Sequence, residues 1–172
     1  MALGAGDDLP KQTARGSLKL NLGCGKRIWP GFTNLDDRDG VDVRHLPYAE
    51  NEADEIQAIH LLEHLYYWDV ADTLKEWLRV LKPGGRLILE MPCFEKVLHF
   101  CTKGDPNPYM TKFALYGGEL DSKDPRDTHK WCYSVQELAD LLALCGYVDL
   151  TREPALFHQV DRDMRWLAYK PI

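Results

Sequence analysis

Apolar residues in the first ninety positions fall in short blocks that each stop at a turn or at an acid. "SLKLNL" predicts a short apolar strand over about 17–22 that runs straight into Gly23-Cys24-Gly25. "FTNLDD" predicts a second strand ending in Asp36 and Asp37, and "GVDVRHLP" a third around Val41–Val43. "ADEIQAI" predicts a fourth, ending at Ile59. The period then changes. Val70, Leu74, Trp77, Leu78 and Leu81 fall at i, i+4, i+7, i+8 and i+11, which predicts a helix over 68–81 stopped by Pro83-Gly84-Gly85. "RLILEMP" is the unbroken apolar run of a strand buried in the middle of a parallel sheet. After an irregular stretch, Ser134 and Glu137 make a capping box. It opens a helix whose apolar face is Leu138, Leu141, Leu142 and Cys145, with Gly146 at its stop. "YVDLTRE" and "MRWLAYK" close the chain as two more strands. Strands alternating with helices predict an α/β fold, an open sheet with helices packed on it.

Composition narrows the classes. At 172 residues, the chain suits one domain with a real core. Hydrophobic residues make up 45% and charged residues 28%, as in ordinary globular proteins. A net charge of −6 argues against a nucleic-acid or anionic-membrane footprint. No apolar run approaches the roughly 18 residues of a membrane span. Asp7 and Asp8 stand where a signal peptide needs an apolar core, so residues 1–16 read as a flexible tail and 17–172 as a single domain. Cysteines 24, 93, 101, 132 and 145 are odd in number and lack C-x-x-C spacing, which suits reduced thiols and a cytoplasmic protein.

An open α/β sheet binds its ligand where loops leave the carboxyl ends of the strands. Three features gather there. A glycine pair after the first strand lets backbone approach a ligand, an acid ends the second strand, and Asp42 follows the third. A competing signal is "HLLEH" (60–64), the H-x-x-E-H order of inverted zinc proteases. That chemistry needs the pentad inside a long helix and a third ligand from elsewhere. Here a strand runs up to Ile59 and a new helix starts at Trp68 and Asp69, so no metal is assigned. A dinucleotide oxidoreductase needs a third glycine where Ile28 stands, and no GxxxxGK[ST] phosphate loop occurs.

Taken in order, "LNLGCG", "NLD" (34–36), "DVRHLP" (42–47), "IHLLEHL" (59–65) and "VLKPGGRLIL" (80–89) resemble a class I S-adenosylmethionine-dependent methyltransferase, closest to the small type 11-like group. "HKWCYSVQELADLLALCGY" (129–147) is similar to that family's late helix. The resemblance implies a Rossmann-like doubly wound, mostly parallel sheet with an antiparallel C-terminal strand and trimmed N-terminal helices. It implies S-adenosylmethionine as cofactor and S-adenosylhomocysteine as product. Carried over by position, Leu22, Gly23, Cys24 and Gly25 face the methionine and ribose. Asp36 holds the ribose hydroxyls, with Asp37 the register-shifted alternative. Asp42 and Val43 meet the adenine, and His60 and Leu61 lie near the sulfonium. The pentad then lines the methionine end of the cofactor pocket. One departure stands out: only eleven positions separate Gly25 from Asp36, with Pro30-Gly31 between them. The first crossover is therefore expected to be a loop or a single turn.

Residues 93–130 form a long segment at the ligand face and are expected to act as a lid or acceptor site. "NPYM" (107–110) lacks the second proline of the N-P-P-Y element of amino-group methyltransferases and does not follow the fourth strand. Small-molecule, sugar or glycan oxygen acceptors are the family-based expectation. His129 is the candidate general base, with a structural brace for the lid as its other reading and Tyr116 as a second candidate. Two other functions stay open, a catalytically silent cofactor-binding interaction protein and a zinc metallopeptidase.

Overall fold

The computed structural model describes residues 16–172, apart from the side chains at 119 and 120. All of the expected tail but Gly16 lies outside the described residues. The strands are β1 (Lys19–Leu22), β2 (Thr33–Leu35), β3 (Ala53–Ile59), β4 (Leu81–Pro92), β5 (Val148–Glu153) and β6 (Asp163–Tyr169). The helices are α1 (Tyr67–Val80), α2 (Phe94–Lys103), α3 (Lys112–Tyr116), α4 (Glu119–Ser122) and α5 (Val135–Leu144). One sheet carries all six strands in the order β2-β1-β3-β4-β6-β5. The first four are parallel, and β6 runs antiparallel to both β4 and β5. This is the mixed, mostly parallel α/β sheet expected from the sequence.

Side-chain alternation decides what each face can bury. On one face Leu20, Leu22, Ile56, Ala58, Leu87, Leu89, Met91, Met164 and Trp166 form a single cluster with Val70, Leu74 and Trp77 of α1 and Leu138 and Leu142 of α5. The Tyr147 hydroxyl donates to the Leu74 carbonyl at 2.9 Å and ties the end of α5 to α1. The opposite face is polar. Gln57 and Arg86 both donate to Glu55 at 2.6 Å, and Arg165 donates to Glu90 at 3.1 Å. Among the described residues, Ile59, Ile88 and Leu167 make an apolar island there, closed by Trp29, Phe157 and Tyr169. The crossovers from β1 to β2 and from β2 to β3 contain no α-helix. Without helices from those crossovers, polar strand residues paired among themselves meet the surface instead of an apolar interface.

Three expectations change. Val41–Val43 is not a strand. The Asp42 carboxylate accepts the Arg44 N–H at 2.9 Å and the Asp42 carbonyl accepts that of His45 at 3.0 Å, so a side-chain-closed turn satisfies the backbone in place of a sheet ladder. Val43 still packs in the core, and its carbonyl takes the Trp77 indole N–H at 2.8 Å. The first long helix ends at Val80, before Pro83-Gly84-Gly85, which instead bulge from β4: Ala53 pairs with Leu81 but Glu55 pairs with Arg86. The irregular stretch after β4 is largely helical, with α2, α3, α4 and two short 3-10 turns. In α2 Val97 alone is buried, too narrow an apolar stripe to stand out in the sequence. The capping box is present: Ser134 Oγ accepts the Glu137 N–H and Glu137 accepts the Ser134 N–H, both at 3.2 Å. The five cysteines are free. No described helix is long and apolar enough to cross a membrane.

Candidate active site

The carboxyl ends of β1, β2 and β3 open into one cleft of about 1570 Å³. β1 delivers the chain into a turn in which Gly23 and Gly25 both hold left-handed backbone, at φ +62 and +52. A Cβ on Gly23 would stand 2.6 Å from Leu61 Cδ1, so the close approach of the β3 exit requires glycine there. At Gly25 the nearest atom to a Cβ would be Arg38 Nη1 at 4.0 Å, which leaves bare backbone toward the cleft. The Gly25 N–H donates to Asp36 Oδ2 at 2.7 Å, so the turn and the acid ending β2 are joined. Asp36 Oδ1 accepts from the Arg38 N–H and from Arg38 Nη1, each at 3.1 Å. Burial works to raise the Asp36 carboxyl, but the backbone donors of Gly25 and Arg38 outweigh it and hold it below the ordinary range. Asp37 moves up, through burial and the neighbouring Asp36 charge. The Arg44 guanidinium holds Asp42 down at about 2.

The exit of β3 builds a second group. His60 sits at φ +52, with its N–H donating to the Glu90 carbonyl at 2.7 Å. Its Nδ1 lies 3.0 Å from Glu63 Oε1 and its Nε2 lies 2.9 Å from Asp163 Oδ2. Burial alone would lower the ring, yet the Asp163 and Glu63 carboxylates lift it to about 9. Burial would likewise raise Glu63, and His60 draws it down to about 2. The His158 ring lies 4.0 Å from that of His60. Burial and the His60 charge lower His158 to about 4. Arg162 Nε donates to Asp163 at 2.6 Å on the far side. Leu62–His64 forms a 3-10 turn, not part of a long helix, and both ring nitrogens of His60 are taken by carboxylates. His60 and His64 do not converge on one point, which removes the peptidase arrangement of the pentad.

His129 arrives from the other side. Gly117 and Thr128 make an antiparallel bridge, and the His129 N–H donates to the Tyr116 carbonyl at 3.1 Å. A Cβ at Gly117 would collide with the Asp127 carbonyl, so this pairing requires glycine. The Lys130 N–H donates to the Glu63 carbonyl at 2.7 Å, which pins the segment to the pentad turn. His129 Nδ1 meets the Ala114 carbonyl at 2.9 Å, and its ring stands edge-on to His64 with centroids 4.7 Å apart. Burial lowers its pKa against the pull of Glu63.

Gly23, Cys24, Gly25, Asp36, Asp37, Asp42, Val43, His60, Leu61 and His129 all line the cleft. Leu22 is fully buried in the core behind it, and Tyr116 is exposed away from it. Sequence reasoning missed Asp163, Arg162, His158 and Glu90. The one available signal was "DRD" (161–163), a charged triplet opening an otherwise apolar strand.

Residues 36–89 match the family model described as "Methyltransferase domain" of type 11. "Methyltransferase GfsG" of Streptomyces halstedii is 43% identical over 58 residues, which are 32% of this chain and 20% of that protein. The chain thus spans about a fifth of the length of that curated relative. A S-adenosylmethionine-dependent methyltransferase from Archaeoglobus fulgidus superposes with a TM-score of 0.60 at 15% identity, over 90% of this chain and 87% of that one. Phosphoethanolamine N-methyltransferase 2 of Haemonchus contortus, solved with S-adenosyl-L-methionine, gives 0.58 at 12% identity, over 94% of this chain and 50% of that one. The chain thus resembles methyltransferases in sequence over residues 36–89 and shares the fold of solved S-adenosylmethionine-dependent methyltransferases.

Proposed function

We propose that this chain binds S-adenosylmethionine at the carboxyl edge of β1–β3 and moves its methyl group to an oxygen of a small-molecule, sugar or glycan acceptor. The observation that carries the reading is the joined unit of the bare Gly25 backbone and Asp36, opening into a cleft larger than the roughly 300–1,000 Å³ of a single-ligand pocket. The residues fit the group. Asp36 keeps its negative charge, held by the Gly25 and Arg38 donors and by the Asp37 side chain beside it. With Asp37 beside it, Asp36 would hold the ribose hydroxyls. Gly23, Cys24 and Gly25 would face the methionine and ribose, with Leu22 supporting the turn from the core. Asp42 and Val43 would meet the adenine, and His60 and Leu61 would lie by the sulfonium.

When bound, the cofactor supplies an activated methyl carbon for in-line displacement and leaves as S-adenosylhomocysteine. The chain has to align the acceptor, exclude water and receive a proton. His129 Nδ1–H donates to the Ala114 carbonyl, which leaves its Nε2 with a lone pair, and the residue lines the cleft. That nitrogen is positioned to take the acceptor's proton. Residues 93–130 cover the acceptor side as a lid. Calorimetry with S-adenosylhomocysteine, followed by labelled methyl transfer over a panel of hydroxyl acceptors, tests the reading. One equivalent bound with turnover supports it, binding without turnover favours a silent binding protein, and no binding overturns it.

A further inference from the structure

The pentad that looks like a zinc signature in sequence leaves one residue unexplained by methyl transfer. Glu63 is 1% exposed, and neither of its carboxylate oxygens has a hydrogen-bond donor. His60 Nδ1 pairs with Oε1 at 3.0 Å, while Oε2 has no partner. A buried carboxylate with an unused oxygen is costly, and such a group calls for an explanation.

Two imidazoles are turned to the same place. His64 Nδ1 meets the Thr128 carbonyl at 3.2 Å and His129 Nδ1 meets the Ala114 carbonyl at 2.9 Å. A carbonyl only accepts, so each Nδ1 carries its ring's proton and each Nε2 is left as a lone-pair donor. Fixing the tautomer through the far nitrogen in this way is how proteins orient metal-binding histidines. One ligand atom from each of Glu63, His64 and His129 falls within 4.8 Å of the others. Tetrahedral ligands about 2.0–2.1 Å from a metal stand roughly 3.4 Å apart, so a small inward shift of the three groups would close the set.

We propose that Glu63, His64 and His129 form a binding site for a divalent cation of the zinc class, with its open coordination position facing the cleft. Two nitrogens and a carboxylate suit zinc, cobalt or nickel better than the all-oxygen cations magnesium and calcium. This is not the peptidase set, because His60 is engaged by Glu63 and Asp163 and the third ligand comes from residue 129. Both His64 and His129 line the cleft, so a fourth ligand would come from its contents. If the methyl-transfer reading holds, that ligand would be the acceptor oxygen, its hydroxyl proton passing to water in the open cleft, and His129 would serve as a metal ligand in place of a base. Only the identity of that fourth ligand rests on the reading.

The test uses the metal alone. Chelator-treated full-length protein is titrated with Zn²⁺ by calorimetry and with Co²⁺ by visible absorption, beside Glu63→Gln, His64→Ala, His129→Ala and the exposed-surface control His99→Ala. The expected result is one equivalent of Zn²⁺ and the intense bands of four-coordinate Co²⁺. Each ligand variant should weaken affinity by about 100-fold or more, with His99→Ala unchanged. No stoichiometric binding by the parent, or binding that survives His129→Ala undiminished, overturns the site. Should Glu63→Gln fail to fold, the two histidine variants decide alone. Affinity for S-adenosylhomocysteine is measured in parallel, so loss of the metal site and loss of the methyl-transfer reading are told apart.

Discussion

Gly25 gives its backbone N–H to the Asp36 carboxylate at 2.7 Å, so the turn after the first strand and the acid ending the second are one piece of structure. Substituting Asp36 therefore disturbs the scaffold as well as any ligand it is proposed to hold, and the choice of variant matters. Asp36→Asn keeps an oxygen for Gly25 and removes the charge. It should weaken S-adenosylhomocysteine binding by roughly 1.5–3 kcal/mol, about 10- to 150-fold, since charged acceptors make the stronger hydrogen bonds. Calorimetry showing unchanged affinity would remove Asp36 from the ribose site.

The same carboxylate sets a pH dependence. Its folded pKa lies below the ordinary aspartate value of about 3.9. A depressed carboxylate contributes stability that is complete above the unfolded value and is lost as pH falls through the lower folded one. The stability gap between the parent and Asp36→Asn should hold steady at about pH 5–7 and shrink toward about pH 3. Denaturant titrations across that range measure it, and a gap that widens on acidification would contradict the assignment.

Gly23 and Gly25 differ in why they are glycine. Alanine at Gly23 would stand 2.6 Å from Leu61 Cδ1 and crowd its Cγ and Cβ as well, whereas at Gly25 it would meet open space; both positions carry left-handed backbone. Gly25→Ala should cost about 1–2 kcal/mol from the left-handed backbone. Gly25→Val should leave a folded domain that no longer binds S-adenosylhomocysteine, because a branched side chain fills the ligand's space. Normal binding by that variant would make the turn merely structural.

The glycine turn, the acid of β2, the pentad and the capped helix α5 were legible in sequence because each is a local pattern with a local cause. Val41–Val43 misled because β-branched residues promised a strand, while Asp42 closed a turn onto Arg44 and His45. The His60–Asp163 pair was invisible for a different reason. It joins residues 103 positions apart across the edge of β6, and nothing near either residue announces the other. The polar face of the sheet was written in the chain all along, in the alternating Glu55, Gln57 and Glu90. Its meaning depended on knowing that no helix from the first two crossovers covers it.

Ion pairs hold the segment around 124–127 against the turn that follows β2. Arg38 reaches Asp124 at 3.4 Å and Asp127 at 3.6 Å, and Arg126 reaches Asp37 at 3.8 Å. These side chains are partly solvated, so each pair is weak and sensitive to salt. Arg126→Ala should raise amide exchange across residues 117–128 and speed release of S-adenosylhomocysteine, and added salt should do the same to the parent. If exchange and release rates are unchanged by both, these pairs do not hold a lid.

His129→Ala should lower turnover by about 10²–10⁴-fold while leaving affinity for S-adenosylhomocysteine intact. The ring meets His64 and the Ala114 carbonyl and makes no hydrogen bond to Gly25 or Asp36, so the expected loss falls on turnover. A histidine that only braces the lid predicts the reverse, with thermal stability lost and turnover at low temperature retained. Chelation then separates the two catalytic roles. If Nε2 takes the acceptor's proton directly, removing metal leaves parental turnover unchanged. If Nε2 instead holds a cation beside Glu63 and His64, chelation should bring the parent down to the level of the variant, and Zn²⁺ should restore the parent alone.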